Sequence, residues 1–127
     1  MAHLFTFENT TRAKLPRVDF LKIKDEILGK DYDLTLTIVD AKKITELNLM
    51  YRNKNCSTDI LSFPLSQNEG EIYICPKEAK NEAKKFDRKY DNFIPFLFIH
   101  GCTHLKGFDH GSTMESIETR FRKKFGI

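Results

Sequence analysis

The chain has 127 residues, a length typical of one compact domain, so we expect residues 1–127 to fold as a single domain. Its 40% hydrophobic and 31% charged residues are typical of globular proteins and exclude a disordered chain. The formal net charge of +3 is too small to indicate nucleic-acid binding by itself. Neither a secretory signal nor an apolar run of about 20 residues is present, so we expect no membrane partner. Three cysteines without a CxxC spacing favour a reducing cytoplasm.

The first half of the chain predicts a strand, a helix, a strand and a second helix. Apolar residues around Phe5 predict the first strand, and helical spacing from Val18 to Gly29 predicts the first helix. Alternation over residues 34–39 predicts the second strand. Asp40 can cap the second helix, which we expect to end in the polar loop of residues 52–55.

The second half predicts two short strands and three helices. The strands should lie before Pro64 and before Pro76, close enough in sequence to pair directly. Three helices should follow, over residues 76–88, from about 93 to Gly107, and over about 113–125. The fold class is therefore α/β or α+β, with a central sheet of about four strands flanked by about five helices.

The middle one of these three helices is apolar nearly all round, which predicts a helix buried at the centre of the domain. We expect Asp91 or Asn92 to cap it and Pro95 to lie in its first turn. Cys102 should be a buried thiol, because it lies about 200° around the helix from the histidines on either side of it.

Three histidines follow the apolar part of this helix. His100 and His104 are four residues apart, so they project from nearly the same face and can hold one ion. Gly107 permits a left-handed backbone that can bring His110 back toward the first two imidazoles. Three neutral nitrogen ligands with an open fourth position are typical of catalytic zinc, which activates water for hydrolysis. The sequence predicts one zinc ion per chain, at the end of a buried helix.

The histidine spacing also matches that of metzincin proteases, in which a glutamate follows the first histidine. Gly101 occupies that position, and glycine cannot take a proton from water, so proteolysis by that mechanism is disfavoured. Asp109 could act as general base, accept a hydrogen bond from a histidine, or simply shape the turn. These three roles stay open at the level of sequence.

Two segments resemble one known family. Residues 100–110 read HGCTHLKGFDH and resemble the signature HGxLHLxGYDH of the YbeY family, metal-dependent endoribonucleases of ribosomal RNA maturation. Residues 47–54 and 58–64, LNLMYRNK and TDILSFP, resemble that family's other shared segment. Replacements within the segments, such as Phe108 where the signature has tyrosine, remove no metal ligand.

The resemblance implies a single-strand-specific endoribonuclease of the cytoplasm. It would act on ribosomal RNA precursors rather than DNA, in maturation of the 3′ end of the small-subunit RNA and in ribosome quality control. Its partners would be the ribosome or small-subunit assembly factors. The family's essential arginine falls on Arg52, which could bind a phosphate and offset charge in the transition state. Lys54 and nearby lysines would then steer RNA.

Two other functions compete with this one. The metzincin spacing allows a zinc-dependent amidase or peptidase, against which Gly101 argues. A ribosome-associated module in which zinc only organises the fold is the alternative without catalysis, and the open fourth coordination position argues against it.

Overall fold

The computed structural model describes residues 4–108 and 111–127, so Asp109 and His110 lie outside the described residues. The described residues form four strands and five helices, which confirms the predicted α+β class. In chain order the elements are β1 (Phe5–Asn9), α1 (Phe20–Leu28), β2 (Asp33–Ile38), α2 (Ala41–Arg52), β3 (Ile60–Ser66), β4 (Glu69–Ile74), α3 (Pro76–Lys85), α4 (Tyr90–Leu105) and α5 (Ser112–Phe125).

The four strands form one mixed sheet in the order β1-β2-β4-β3. Strand β2 is parallel to both of its neighbours, whereas β3 runs antiparallel to β4, as expected for strands that pair directly. The prediction that the third strand stops before Pro64 is wrong, because β3 continues to Ser66. An edge strand tolerates proline, whose missing N–H costs no ladder hydrogen bond when it faces away from the neighbour.

Each face of the sheet is covered by a separate group of apolar side chains. Helix α2 covers one face with Ile44 and Leu47, which pack with Leu61 of β3. Helices α1, α3 and α4 bury the opposite face, where α4 contributes Phe93 and Phe98 at 0% exposure. Helix α4 is thus enclosed by the sheet and by its neighbouring helices, as its all-round apolar sequence predicted.

The ends of two helices differ from prediction. Helix α2 includes Arg52 and ends at Asn53, whose left-handed φ of 56° turns the chain toward β3. Helix α4 starts at Tyr90, so Asp91 lies in its first turn and is not the cap. Lys89 is the N-cap: its carbonyl accepts from the Phe93 N–H at 2.9 Å, and its side chain makes no capping hydrogen bond.

Two further predictions for α4 are affected by this earlier start. Asn92 is also inside the helix rather than at its cap, and Pro95 falls in the second turn instead of the first. The predicted end is close, because Leu105 is the last helical residue and Gly107 adopts a φ of 110°. Among the described residues, no helix combines the length and apolarity that a membrane crossing needs.

Helix α4 packs closely against the sheet at Gly101. A Cβ atom there would lie 2.9 Å from Ser62 Oγ and 3.0 Å from the Cδ1 atoms of Ile60 and Ile72. Glycine lets the helix axis come this close to β3 and β4. Position 101 therefore faces the sheet, and a longer side chain there would meet a packed layer.

Replacing Gly101 tests this packing. We expect Gly101→Glu to lower the free energy of unfolding by about 3 kcal/mol or more, because a carboxylate would be forced into an apolar layer. Gly101→Ala should change it by less than about 1 kcal/mol, since higher helix propensity offsets the tight Cβ contacts. Urea unfolding monitored by circular dichroism measures both. Equal stability of Gly101→Glu and wild type would contradict the packing described.

Candidate active site

Two of the three predicted metal ligands lie side by side on the last turns of α4. The ring centroids of His100 and His104 are 5.0 Å apart and the rings are nearly perpendicular, at 88°. Both side chains are partly exposed, although most of α4 around them is buried. Four-residue spacing thus brings two imidazoles to one face, as the sequence predicted.

His100 is oriented by a carboxylate that the sequence reasoning missed. Its Nδ1 lies 2.5 Å from Oε1 of Glu118 on α5, a residue only 7% exposed. Arg122, one turn later, pairs with the other carboxylate oxygen at 3.6 Å. The signal was present in the sequence: Glu118 follows Met114 by four residues and precedes Phe121 by three, so it is a carboxylate on the apolar stripe of α5.

Arg52 reaches the same place from the other side of the sheet. It is the last residue of α2, and it lines a cleft of about 540 Å³ together with His100 and His104. The chain after Arg52 passes the β3 edge of the sheet, where the Asn48 amide donates to the Cys56 carbonyl at 3.0 Å. We call this space the histidine cleft.

The prediction that Arg52 belongs to a loop is wrong, because α2 carries it in its last turn. Arg52 is exposed. Lys54 is also exposed, two residues beyond the helix, and it is not among the described residues that line the histidine cleft. Asp109 and His110 lie outside the described residues, so their predicted roles stay predictions.

Asp59 is a second carboxylate of this region. It lines the histidine cleft and also a second cleft on the other side of His100. Burial raises the pKa of its carboxyl group, and the negative charge of Glu82 raises it further. Backbone N–H groups and the Thr58 hydroxyl donate to the carboxylate and partly offset this rise. The sequence reasoning used Asp59 only as part of a family segment.

The donors present suit a zinc ion as far as the described residues extend. Two imidazoles are adjacent, and one has its Nδ1 engaged by a buried carboxylate, the usual arrangement for a metal-binding histidine. No group of three His, Cys, Asp or Glu that could hold a metal occurs within residues 4–108 and 111–127. The third predicted ligand, His110, lies outside them. Cys102 is fully buried, as predicted, and burial raises the pKa of its thiol.

Comparison with known proteins identifies the family. The model of the family "Endoribonuclease YbeY" matches residues 6–125. A Staphylococcus carnosus protein named endoribonuclease YbeY is 34% identical over 113 residues, which are 80% of this chain and 74% of that protein. A Nautilia profundicola protein of the same name is 36% identical over 132 residues, covering 98% and 93% of the two chains.

A solved structure agrees in fold. The solution structure of a Thermotoga maritima protein superposes with a TM-score of 0.68, covering 95% of this chain and 88% of that one at 24% sequence identity. The α+β fold of this chain is thus a known architecture. By its sequence, the chain belongs to the endoribonuclease YbeY family.

The raised pKa of Asp59 predicts a pH dependence of stability. In the unfolded chain this carboxyl group ionises near pH 4, whereas in the folded protein its pKa is higher. Ionised Asp59 therefore lowers the free energy of unfolding at neutral pH, and this destabilisation disappears as the pH falls below about 4. Asp59→Asn, measured in a metal chelator, should therefore raise the melting temperature at pH 7 and not at pH 3.5. The exposed Asp31→Asn is the matched control. Equal shifts at both pH values would contradict the burial effect.

Proposed function

We propose that the chain is a single-strand-specific endoribonuclease that depends on one zinc ion. The observation that carries the proposal is the convergence of Arg52 with His100 and His104 in one cleft, although they come from helices on opposite faces of the sheet. Membership of the endoribonuclease YbeY family supports RNA as substrate. We further propose that the substrate is the ribosomal RNA precursor, at the 3′ end of the small-subunit RNA, and that ribosome quality control in the cytoplasm is a related role.

His100, His104 and His110 would hold the metal. When bound, zinc would supply a Lewis acid for the phosphate and a way to activate water at neutral pH. Glu118 accepts the Nδ1 proton of His100, which fixes the tautomer with a lone pair on Nε2. The ion pair of Glu118 with Arg122 holds that carboxylate in place.

Arg52 would bind the scissile phosphate. A guanidinium can donate two parallel hydrogen bonds to phosphate oxygens, and it keeps its charge at any physiological pH. Its position at the edge of the histidine cleft suits it to neutralise charge that develops in the transition state. Lys54, exposed nearby, would attract the RNA backbone at longer range. Proton transfer would fall to Asp109, which directly precedes the third predicted ligand in sequence, or to the substrate's own 2′-hydroxyl.

The geometry of Gly101 weighs against the amidase or peptidase alternative. The metzincin mechanism needs a glutamate at this position, directed toward the metal. Here a Cβ at position 101 would already meet Ser62, Ile60 and Ile72 at 2.9–3.0 Å, which leaves no room for a glutamate side chain without displacing them. Glycine therefore reflects the packing of α4, and the protease carboxylate has no equivalent at position 101.

Substitution of Arg52 tests the enzymatic proposal. Arg52→Glu should lower the rate of cleavage of a small-subunit RNA precursor by about 100-fold or more, because a charge-stabilising donor is lost. Bound zinc should stay at one ion per chain. Arg52→Lys keeps the charge without the bidentate geometry and should retain intermediate activity. Casein serves as the control substrate for the alternative.

Three results would count against the proposal. Undiminished cleavage by Arg52→Glu would remove Arg52 from the reaction. Wild-type protein without stoichiometric metal would refute the metal site. Cleavage of casein and not of RNA by the wild type would favour the peptidase alternative.

Glu118→Gln tests the support of the metal site. The amide can no longer accept a charge-assisted hydrogen bond from His100, so zinc affinity should fall by about 10- to 100-fold. Competition with a chromophoric chelator measures the affinity. Glu115→Gln, an exposed carboxylate on the same helix, is the matched control. An affinity equal to that of Glu115→Gln would show that Glu118 does not support a metal ligand.

A further inference from the structure

A second cleft lies directly beside the histidine cleft. It has a volume of about 720 Å³, and the two clefts share Asp59, Ile60 and His100. Its far side is built from Phe86, Arg88, Phe96 and Arg122, and we call it the aromatic cleft. Because both clefts open on His100, a polymer that crosses the histidine cleft can continue into the aromatic cleft.

Two arginines of the aromatic cleft flank one aromatic ring. The guanidinium carbons of Arg88 and Arg122 lie 4.2 Å and 5.0 Å from the centroid of the Phe96 ring. Burial lowers the pKa of Arg88, and the like charge of Arg122 lowers it further. Bringing two cations this close costs free energy, which a bound anion would recover.

The two arginines differ in whether a carboxylate pairs with them. Arg122 pairs with Glu118 at 3.6 Å, so part of its charge is compensated. Arg88 donates to the neutral side chain of Asn92, and within the described part of the chain it has no carboxylate at ion-pair distance. Arg88 is therefore the cation most available to an incoming phosphate.

Phe86 gives the cleft an exposed aromatic face. It is 55% exposed, yet its ring is held in place by Phe93 and Phe96, with centroids at 5.5 Å and 5.6 Å. Leaving a large apolar ring in water is unfavourable unless something covers it. A fixed ring beside free positive charge is the combination that single-stranded nucleic acid recognises, through base stacking and phosphate contacts.

We propose that the aromatic cleft binds one nucleotide of single-stranded RNA next to the scissile phosphate, with its base on Phe86 and its phosphate at Arg88. Arg122 adds positive potential at the same point. The inference rests on the proposed function for its substrate, because it takes the reacting phosphate to lie at His100. It also gives a reason for single-strand selectivity, since a base can stack on Phe86 only when it is free of a duplex.

The experiment measures binding without cleavage. A fluorescent, single-stranded 2′-O-methyl hexanucleotide is titrated with zinc-loaded protein and followed by anisotropy, and gel electrophoresis checks that the probe is intact at the end of each titration. Phe86→Ala should weaken binding by about fivefold or more through lost stacking. Arg88→Gln should also weaken binding and reduce the slope of log affinity against log salt by about 0.7, the value for one phosphate contact.

Matched variants and a second probe separate the two contacts. Arg120→Gln removes the same charge from an exposed position on α5 outside both clefts and should bind like wild type. Arg88→Lys should restore most of the salt dependence. With an abasic oligomer of equal charge, the penalty of Phe86→Ala should vanish while that of Arg88→Gln persists, because only phosphate contacts remain.

The subsite and the enzymatic proposal fail separately. If Phe86→Ala and Arg88→Gln both bind the hexanucleotide like wild type, the subsite is refuted, even where wild type cleaves RNA. The subsite is also refuted if wild type does not bind the probe at all, or if Arg120→Gln weakens binding as much as Arg88→Gln does. A wild type that binds with these differences but cleaves no RNA would keep the subsite and refute the proposed activity.

Discussion

The close approach of α4 to the sheet at Gly101 is the constraint on which the site depends. Burying a helix that is apolar on every side requires partners all round it, and the sheet, α1, α3 and α5 supply them. The absence of a side chain at position 101 sets how near the helix axis lies to β3 and β4. His100 and His104 flank this contact point in sequence, so the packing that stabilises the domain also places the imidazoles at the sheet edge.

The edge of the sheet is where the other elements can meet those imidazoles. Strand β3 is one of the two edge strands, and the chain leads into it directly from α2. Helix α2 covers one face and α4 the other, so a residue at the end of α2 can meet a residue of α4 only beyond the last strand. Arg52 takes this position because Asn53 ends the helix in a left-handed conformation.

Helices and strands with a clear periodicity of apolar residues were predictable from sequence, whereas the residues at which they begin and end were less so. The alternating residues of β2 and the apolar run of α4 gave the right structures, because each pattern fits one secondary structure. The start of α4 was missed because its N-cap, Lys89, makes no side-chain capping hydrogen bond and is not a residue type that indicates a cap. Glu118 was missed for a related reason: its polar nature suggested solvent, and only the fold shows that His100 lies opposite.

Under the proposed function, the two adjoining clefts would favour an RNA chain without secondary structure. A duplex presents its phosphates on a wide, stiff surface, whereas a single strand can bend between two adjoining depressions and turn out a base. The shared walls, Asp59 and His100, form the point at which such a strand would change direction. Partial burial raises the pKa of Asp59 at this wall, and backbone N–H groups and the Thr58 hydroxyl donate to its carboxylate, so part of its charge is already compensated where the two clefts meet.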